Sequence, residues 1–176
     1  MKSASIISIL LQLGQLLAGV TTTTRQTIPE NESHAREVCS RITQIKMLPM
    51  KPNEGDLNFF KGLDPAYGQF RELGEAAVPC LIGKLTDRAV MNDPRQAPRV
   101  GPVTVGDVAL WVFCDITGMQ LQQALPAAIR RDYKERGEYA YLDWVRADSK
   151  HRKIVQQNVT KWYSEHSSRK MPKQVP

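Results

Sequence analysis

Residues Thr104 to Thr117, TVGDVALWVFCDIT, constrain the fold more than any other stretch of the chain. Val105, Val108, Ala109, Val112, Phe113 and Ile116 recur at i, i+3 and i+4, the spacing of one helical face. Leu110, Trp111 and Cys114 make the remaining sides apolar as well. A helix that is apolar almost all round has to lie at the centre of a domain, covered by its neighbours. Gly118 supplies its C-terminal stop. The rest of the chain must therefore provide enough further helices to wrap it.

The sequence supplies them. Ala35, Val38, Cys39, Ile42 and Ile45 predict a helix over about 34–47, ended by Pro49 and Pro52. Asp64-Pro65 is a helix start, a capping carboxylate followed by proline at the first helical position. From it Tyr67, Phe70 and Leu73 face inward, and Gly74 ends the run. A further helix is expected over about 77–86, one over Pro126 to Arg136 stopped by Gly137, and one over Glu138 to Arg146. The last spans about Ser149 to His166, with Ile154, Val155, Asn158, Val159, Trp162 and Tyr163 inward and Lys150, Lys153, Gln157 and Lys161 outward. No pair of alternating strands stands out. The expected fold class is all-α, a compact domain of six to seven helices.

The stretch LGEAAVPCLIGKLTD, Leu73 to Asp87, carries a tight glycine turn, small residues at Ala76 and Ala77, and an early Pro79. Together with the start at Asp64 it resembles one unit of a HEAT-like helical repeat, and VGDVALWVFCDITG continues the likeness more loosely to Gly118. A single unit cannot bury its own face, so neighbours must cap it. The resemblance implies HEAT-like helix-turn-helix packing and protein binding through a helix face or loops. It implies no catalytic residue.

At the amino terminus, Lys2 precedes the apolar run Ser5 to Val20, with small residues at Ala18 and Gly19. This reads as a signal-like leader over 1–23, which places the mature chain in the periplasm or outside the cell. If the leader is not a signal peptide, the chain stays cytoplasmic. The run is too short and too interrupted by Gln12 and Gln15 for a membrane span, so no integral membrane domain is expected. A polar linker over 24–33, a single helical domain over 34–166 and a flexible basic tail over 167–176 complete the expected organisation.

The formal net charge of +6 is unevenly placed. Met1 to Ile129 hold 12 Lys+Arg against 12 Asp+Glu, whereas Arg130 to Pro176 hold 12 against 6. The whole excess therefore lies in the C-terminal quarter, where it can solvate a helix face or meet phosphate, anionic lipid or an acidic protein. The connection from Arg88 to Val103 is longer than compact domains ordinarily use, and it carries Arg88, Arg95 and Arg99. With Arg130 and Arg131 these arginines are the candidate partner-binding residues, because the planar guanidinium pairs with carboxylates in two-point fashion.

Chemistry-bearing clusters are weak. Cys39, Cys80 and Cys114 form no CxxC pair, and His34, His151 and His166 form no HExxH arrangement, so no metal site is expected. All three cysteines fall in apolar helical patterns, so buried free thiols are expected, although an oxidising compartment would allow one disulfide. Asp107 and Asp115 flank Trp111 on one helical face, but at 1.5 Å per residue they lie about 12 Å apart, too far for shared acid–base work. Asp107 instead follows Thr104 by three residues, the spacing of a capping box. No catalytic residue and no cofactor are predicted. Trp144, Trp162 and Tyr163 near basic residues are weighed as a stacking surface for single strands, but the latter two fall on an inward stripe. No sequence-specific nucleic-acid partner is implied. Asn31-Glu32-Ser33 and Asn158-Val159-Thr160 match the glycosylation sequon.

The reading is an exported, non-enzymatic, helical protein-binding module, with inhibitors and immunity-type proteins as the model class. The alternatives are an envelope enzyme or enzyme accessory with a site assembled from distant loops, and a basic protein that binds anionic surfaces.

Overall fold

A computed structural model describes residues 30–49, 64–95 and 101–170. The leader and the C-terminal residues 171–176 lie outside the described residues. Helix α1 (Glu30–Ser40) begins inside the segment read as linker and ends before the expected 47. A short 3-10 turn (Ile42–Gln44) follows it, with Ile42 buried. Helix α2 (Pro65–Leu73) starts where the sequence says: the Asp64 carboxylate accepts from the Tyr67 amide at 2.9 Å, and proline takes the first turn. The other Asp64 oxygen accepts from the Lys46 and Met47 amides at 2.6 and 2.7 Å. One carboxylate therefore caps a helix and fixes the chain that follows α1.

The expected helix over 77–86 is a 3-10 turn (Gly74–Ala77) running into α3 (Val78–Lys84). A two-residue ladder then pairs β1 (Val90–Met91) antiparallel with β2 (Val103–Thr104). The sequence analysis did not find this ladder, since two residues carry no alternating pattern. Helix α4 (Val105–Thr117) is the central helix: every side chain from Val105 to Asp115 is buried. Its start is pressed against the end of α3, where the Gly106 amide donates to Asp87 O at 3.0 Å. A Cβ at Gly106 would stand 2.5 Å from Leu85 O, so only glycine permits this approach. Gly118 ends α4 in the left-handed conformation, φ 75°.

A 3-10 turn (Leu121–Ala124) leads to α5 (Ala127–Arg136), α6 (Glu138–Ala147) and α7 (Ser149–Lys170). The fold class is all-α, as expected. Around α4 the core gathers Val38, Ile42 and Ile45 from the first segment, Tyr67 and Phe70 from α2, and Leu81 from α3. Tyr141, Leu142 and Val145 of α6 and Val155 and Val159 of α7 complete it. Helix α5 differs from the rest, having no fully buried residue. No described helix is long and apolar enough to cross a membrane.

The cysteines correct the sequence reading. Cys39 of α1 and Cys80 of α3 form a disulfide with their Cα atoms 6.4 Å apart. Only Cys114 is a buried free thiol, and burial, with Glu138 next, pushes its pKa well up. Both paired cysteines sit in apolar helical patterns, which do not distinguish a thiol from a bridge.

Candidate partner-binding face

The long connection is tied down on both sides of its tip. The ladder joins its two limbs, the Leu48 amide donates to Pro94 O at 2.8 Å, and Arg146 Nη2 donates to Pro102 O at 2.8 Å. The main fastening is Arg95. Its Nε and Nη2 donate to the two Asp93 oxygens at 3.0 and 2.8 Å, and its Nη1 donates to Glu138 at 2.5 Å. Its guanidinium carbon lies 4.2 Å from the ring centre of Trp111, a cation–π stack. Burial opposes the charge on Arg95, but its bonds to Asp93 and Glu138 prevail and raise its pKa. Burial likewise works against the Asp93 carboxylate, yet the bonds from Arg95 hold its pKa below the ordinary range.

Arg95 was expected as a free recognition residue. It is instead 12% exposed and saturated with internal partners, because the loop folds back onto α6. Arg88 is exposed beside β1 and enters none of these contacts. Arg99 lies outside the described residues. The predicted arginines thus separate: Arg95 is structural, and Arg88, Arg130 and Arg131 present themselves to solvent.

Glu138, the acceptor for Arg95, is the first residue of α6 and follows the Gly137 stop of α5. The loop stem and the α5–α6 corner therefore meet at one ion pair. Tyr133 of α5 belongs to the same corner. Burial, with the Glu138 carboxylate next, pushes its hydroxyl up to about 12. Arg130 anchors the start of α5 by donating Nε to Leu125 O at 2.9 Å. Arg131 and Lys134 are exposed on the same helix. Sequence reasoning missed Lys134 here, although its i+4 spacing from Arg130 is a readable signal.

The remaining charged clusters are closed. Asp107 is fully buried and takes the Tyr141 hydroxyl at 2.7 Å, Arg152 Nη2 at 3.0 Å, the Thr104 amide at 2.9 Å and the Thr104 hydroxyl at 2.8 Å. It is the expected capping box, extended by two partners from distant helices. Burial, with Asp107 next, holds the Tyr141 pKa well above its ordinary value. Asp115 accepts from the Tyr67 hydroxyl and from Arg71 Nη1, the latter at 2.6 Å. The two carboxylates thus serve separate networks. No group of His, Cys, Asp and Glu able to hold a metal occurs among the described residues.

The aromatic residues near the basic segment are also occupied. His151 stacks on Trp144 at 4.3 Å and His166 on Trp162 at 4.2 Å, so one face of each indole is covered. Each histidine donates Nδ1–H to the carbonyl of the tryptophan it covers, at 2.6 and 2.8 Å. Asn158 donates to Ala124 O at 2.9 Å, which commits that sequon asparagine to packing.

Compared with family models, curated proteins and solved structures, the chain matches none. What the fold and this face define is an all-α, disulfide-linked domain that presents a basic helix beside a pinned loop.

Proposed function

We propose that the chain is an exported, non-enzymatic helical module that binds another protein, with inhibitors and immunity-type proteins as the nearest functional class. The observation that carries this reading is the Arg95–Glu138 contact. It joins the stem of the long loop to the corner between α5 and α6, so the loop stem and the basic helix are held in a fixed relation. Prior positioning of a loop lowers the ordering cost of binding, and that is what a recognition surface needs.

The disulfide supports export, because such bridges persist in oxidising compartments and are rare in the cytosol. The buried networks around Asp107 and Asp115 favour binding over catalysis. Their carboxylates are consumed by capping and by internal ion pairs, and each is shielded from solvent. A general acid or base has to reach a substrate proton. The resemblance of Asp64 to Asp87 to a HEAT-like unit agrees with this role but carries none of its weight.

The test uses the oxidised chain without residues 1–23 as bait in extracts of cells that express it naturally. A protein retained in stoichiometric amount by the folded bait, and lost when the bait is reduced and heat-unfolded, is the expected result. Retention of no protein, together with turnover of a small molecule, would favour the enzyme reading.

A further inference from the structure

Helix α5 segregates its charges. At about 100° per residue, Ile129 and Tyr133 point inward, with Asp132 and Arg136 beside them, while Arg130, Arg131 and Lys134 share the outer side with Ala127 and Ala128. On the inner flank Arg136 pairs with Asp132 at 3.2 Å and also with Asp143 of α6. The acids within reach of α6 are thus consumed there. Arg130, Arg131 and Lys134 are exposed, and none enters an ion pair among the described residues. Glu135, exposed and one turn after Arg131, is the one acid on the outer side. Three cations within five residues therefore face solvent against a single acid, Glu135.

We infer that this outer face of α5 is the dock for an acidic protein surface, a row of Asp or Glu side chains on the partner. The inference rests on the protein-binding reading above and gives it a partner chemistry. Charge complementarity selects the occupant, and arginine forks bind carboxylates two at a time. A membrane surface fits less well, because an interfacial helix needs large apolar side chains to insert, and the outer side of α5 offers only Ala127 and Ala128. A single-stranded nucleic acid fits less well too, because base stacking needs free aromatic faces. Trp144 and Trp162 each have one face covered by a histidine and Tyr133 is half-buried, which leaves Tyr139 of α6 as the single exposed ring among the described tryptophans, tyrosines and phenylalanines, too few to stack successive bases.

Carbodiimide coupling in intact cells that express the chain from its own gene tests the inference. The reagent joins a lysine amine to a carboxylate it touches, forming an amide with loss of water. The expected product links Lys134 to an Asp or Glu of a different protein. Its yield should fall at least tenfold in Arg131→Glu and stay within twofold in Lys153→Glu, both with an unchanged thermal midpoint. Coupling found only at Lys150, Lys153 or Lys161 would overturn the α5 dock and leave the binding reading standing. Coupling to no protein at all would remove the binding reading and the dock with it. Binding of the wild-type chain to phosphatidylglycerol vesicles, abolished by Arg131→Glu in the absence of any protein adduct, would overturn the protein partner in favour of a lipid surface.

Discussion

Arg95 and Trp111 are stacked, with the guanidinium carbon 4.2 Å from the indole centre, and this contact joins the long connection to the most buried helix. An arginine read from sequence as a free hand is thus the rivet that fastens the loop to α4 and α6.

Arg95→Ala should cost stability where the sequence alone predicts almost none. Removing the guanidinium leaves Asp93, whose side chain is only 9% exposed, without its partner. Breaking a buried pair costs about 3–5 kcal/mol when both groups are fully enclosed. Here partial exposure brings the expected loss to roughly 1–3 kcal/mol, with Glu138 adding little because it is 40% exposed. Urea denaturation measures it, and a loss below about 0.5 kcal/mol, the scale of a plain surface substitution, would mean the loop is not fastened through Arg95.

The buried pair of Arg152 and Asp107 predicts a larger effect. Arg152→Met leaves a fully buried carboxylate with a neutral neighbour and should cost about 3–5 kcal/mol. Lys153→Met, one residue along and exposed, should stay within about 0.5 kcal/mol. Equal midpoints for the two variants would contradict the pairing.

Much of this architecture was legible because its signals are local. Asp64-Pro65, the Thr104–Asp107 box and the Gly118 stop each make their capping bonds within a turn of helix, so the sequence carries both partners of those bonds side by side. The apolar spacing of α4 likewise states its own burial. Arg152 was not legible. It sits three residues before Val155 and seven before Val159, on the inward stripe, but its partner lies 45 residues away. The same distance hid the Cys39–Cys80 bridge and the destination of Arg95, both of which need tertiary geometry. The candidate face was half legible: Arg130 and Arg131 could be singled out by charge, whereas the Asp132–Arg136–Asp143 pairing, which engages those acids away from them, required α6 in place.

The disulfide closes a loop of 41 residues in sequence. Chain entropy then gives it about 4 kcal/mol, within the usual 2–4 kcal/mol once native-state costs are included. Cys39→Ala combined with Cys80→Ala should lose that amount, and dithiothreitol should lower the denaturation midpoint of the wild type but leave the double variant unchanged. Insensitivity of the wild type to the reductant would show that the bridge does not form in solution.

Stability should fall at both pH extremes for separate reasons. The Asp93 carboxyl titrates below its unfolded value because Arg95 holds it ionised. Its contribution is complete above the ordinary carboxylate pKa of about 3.9 and is lost as pH drops through the lower folded value. The Tyr141 hydroxyl titrates above its unfolded value because it is buried against Asp107. Its contribution is complete below about pH 10 and declines as pH rises beyond it. Midpoints measured from pH 2 to 12 should show the alkaline decline reduced in Tyr141→Phe, with Tyr67, Tyr133 and Cys114, whose burial also raises their pKa values, supplying the remainder, and an unchanged alkaline limb would argue that Tyr141 takes no part in it.

The central claim is that the loop stem and α5 together form the face that a partner protein covers. Hydrogen–deuterium exchange of the oxidised chain, alone and with the protein that co-purifies with it, tests this most directly. Exchange should slow over residues 88–95 and 127–138 in the complex, with α1 and the first turns of α7 unchanged. Protection confined to α1 or α7, with none over those two segments, would contradict it.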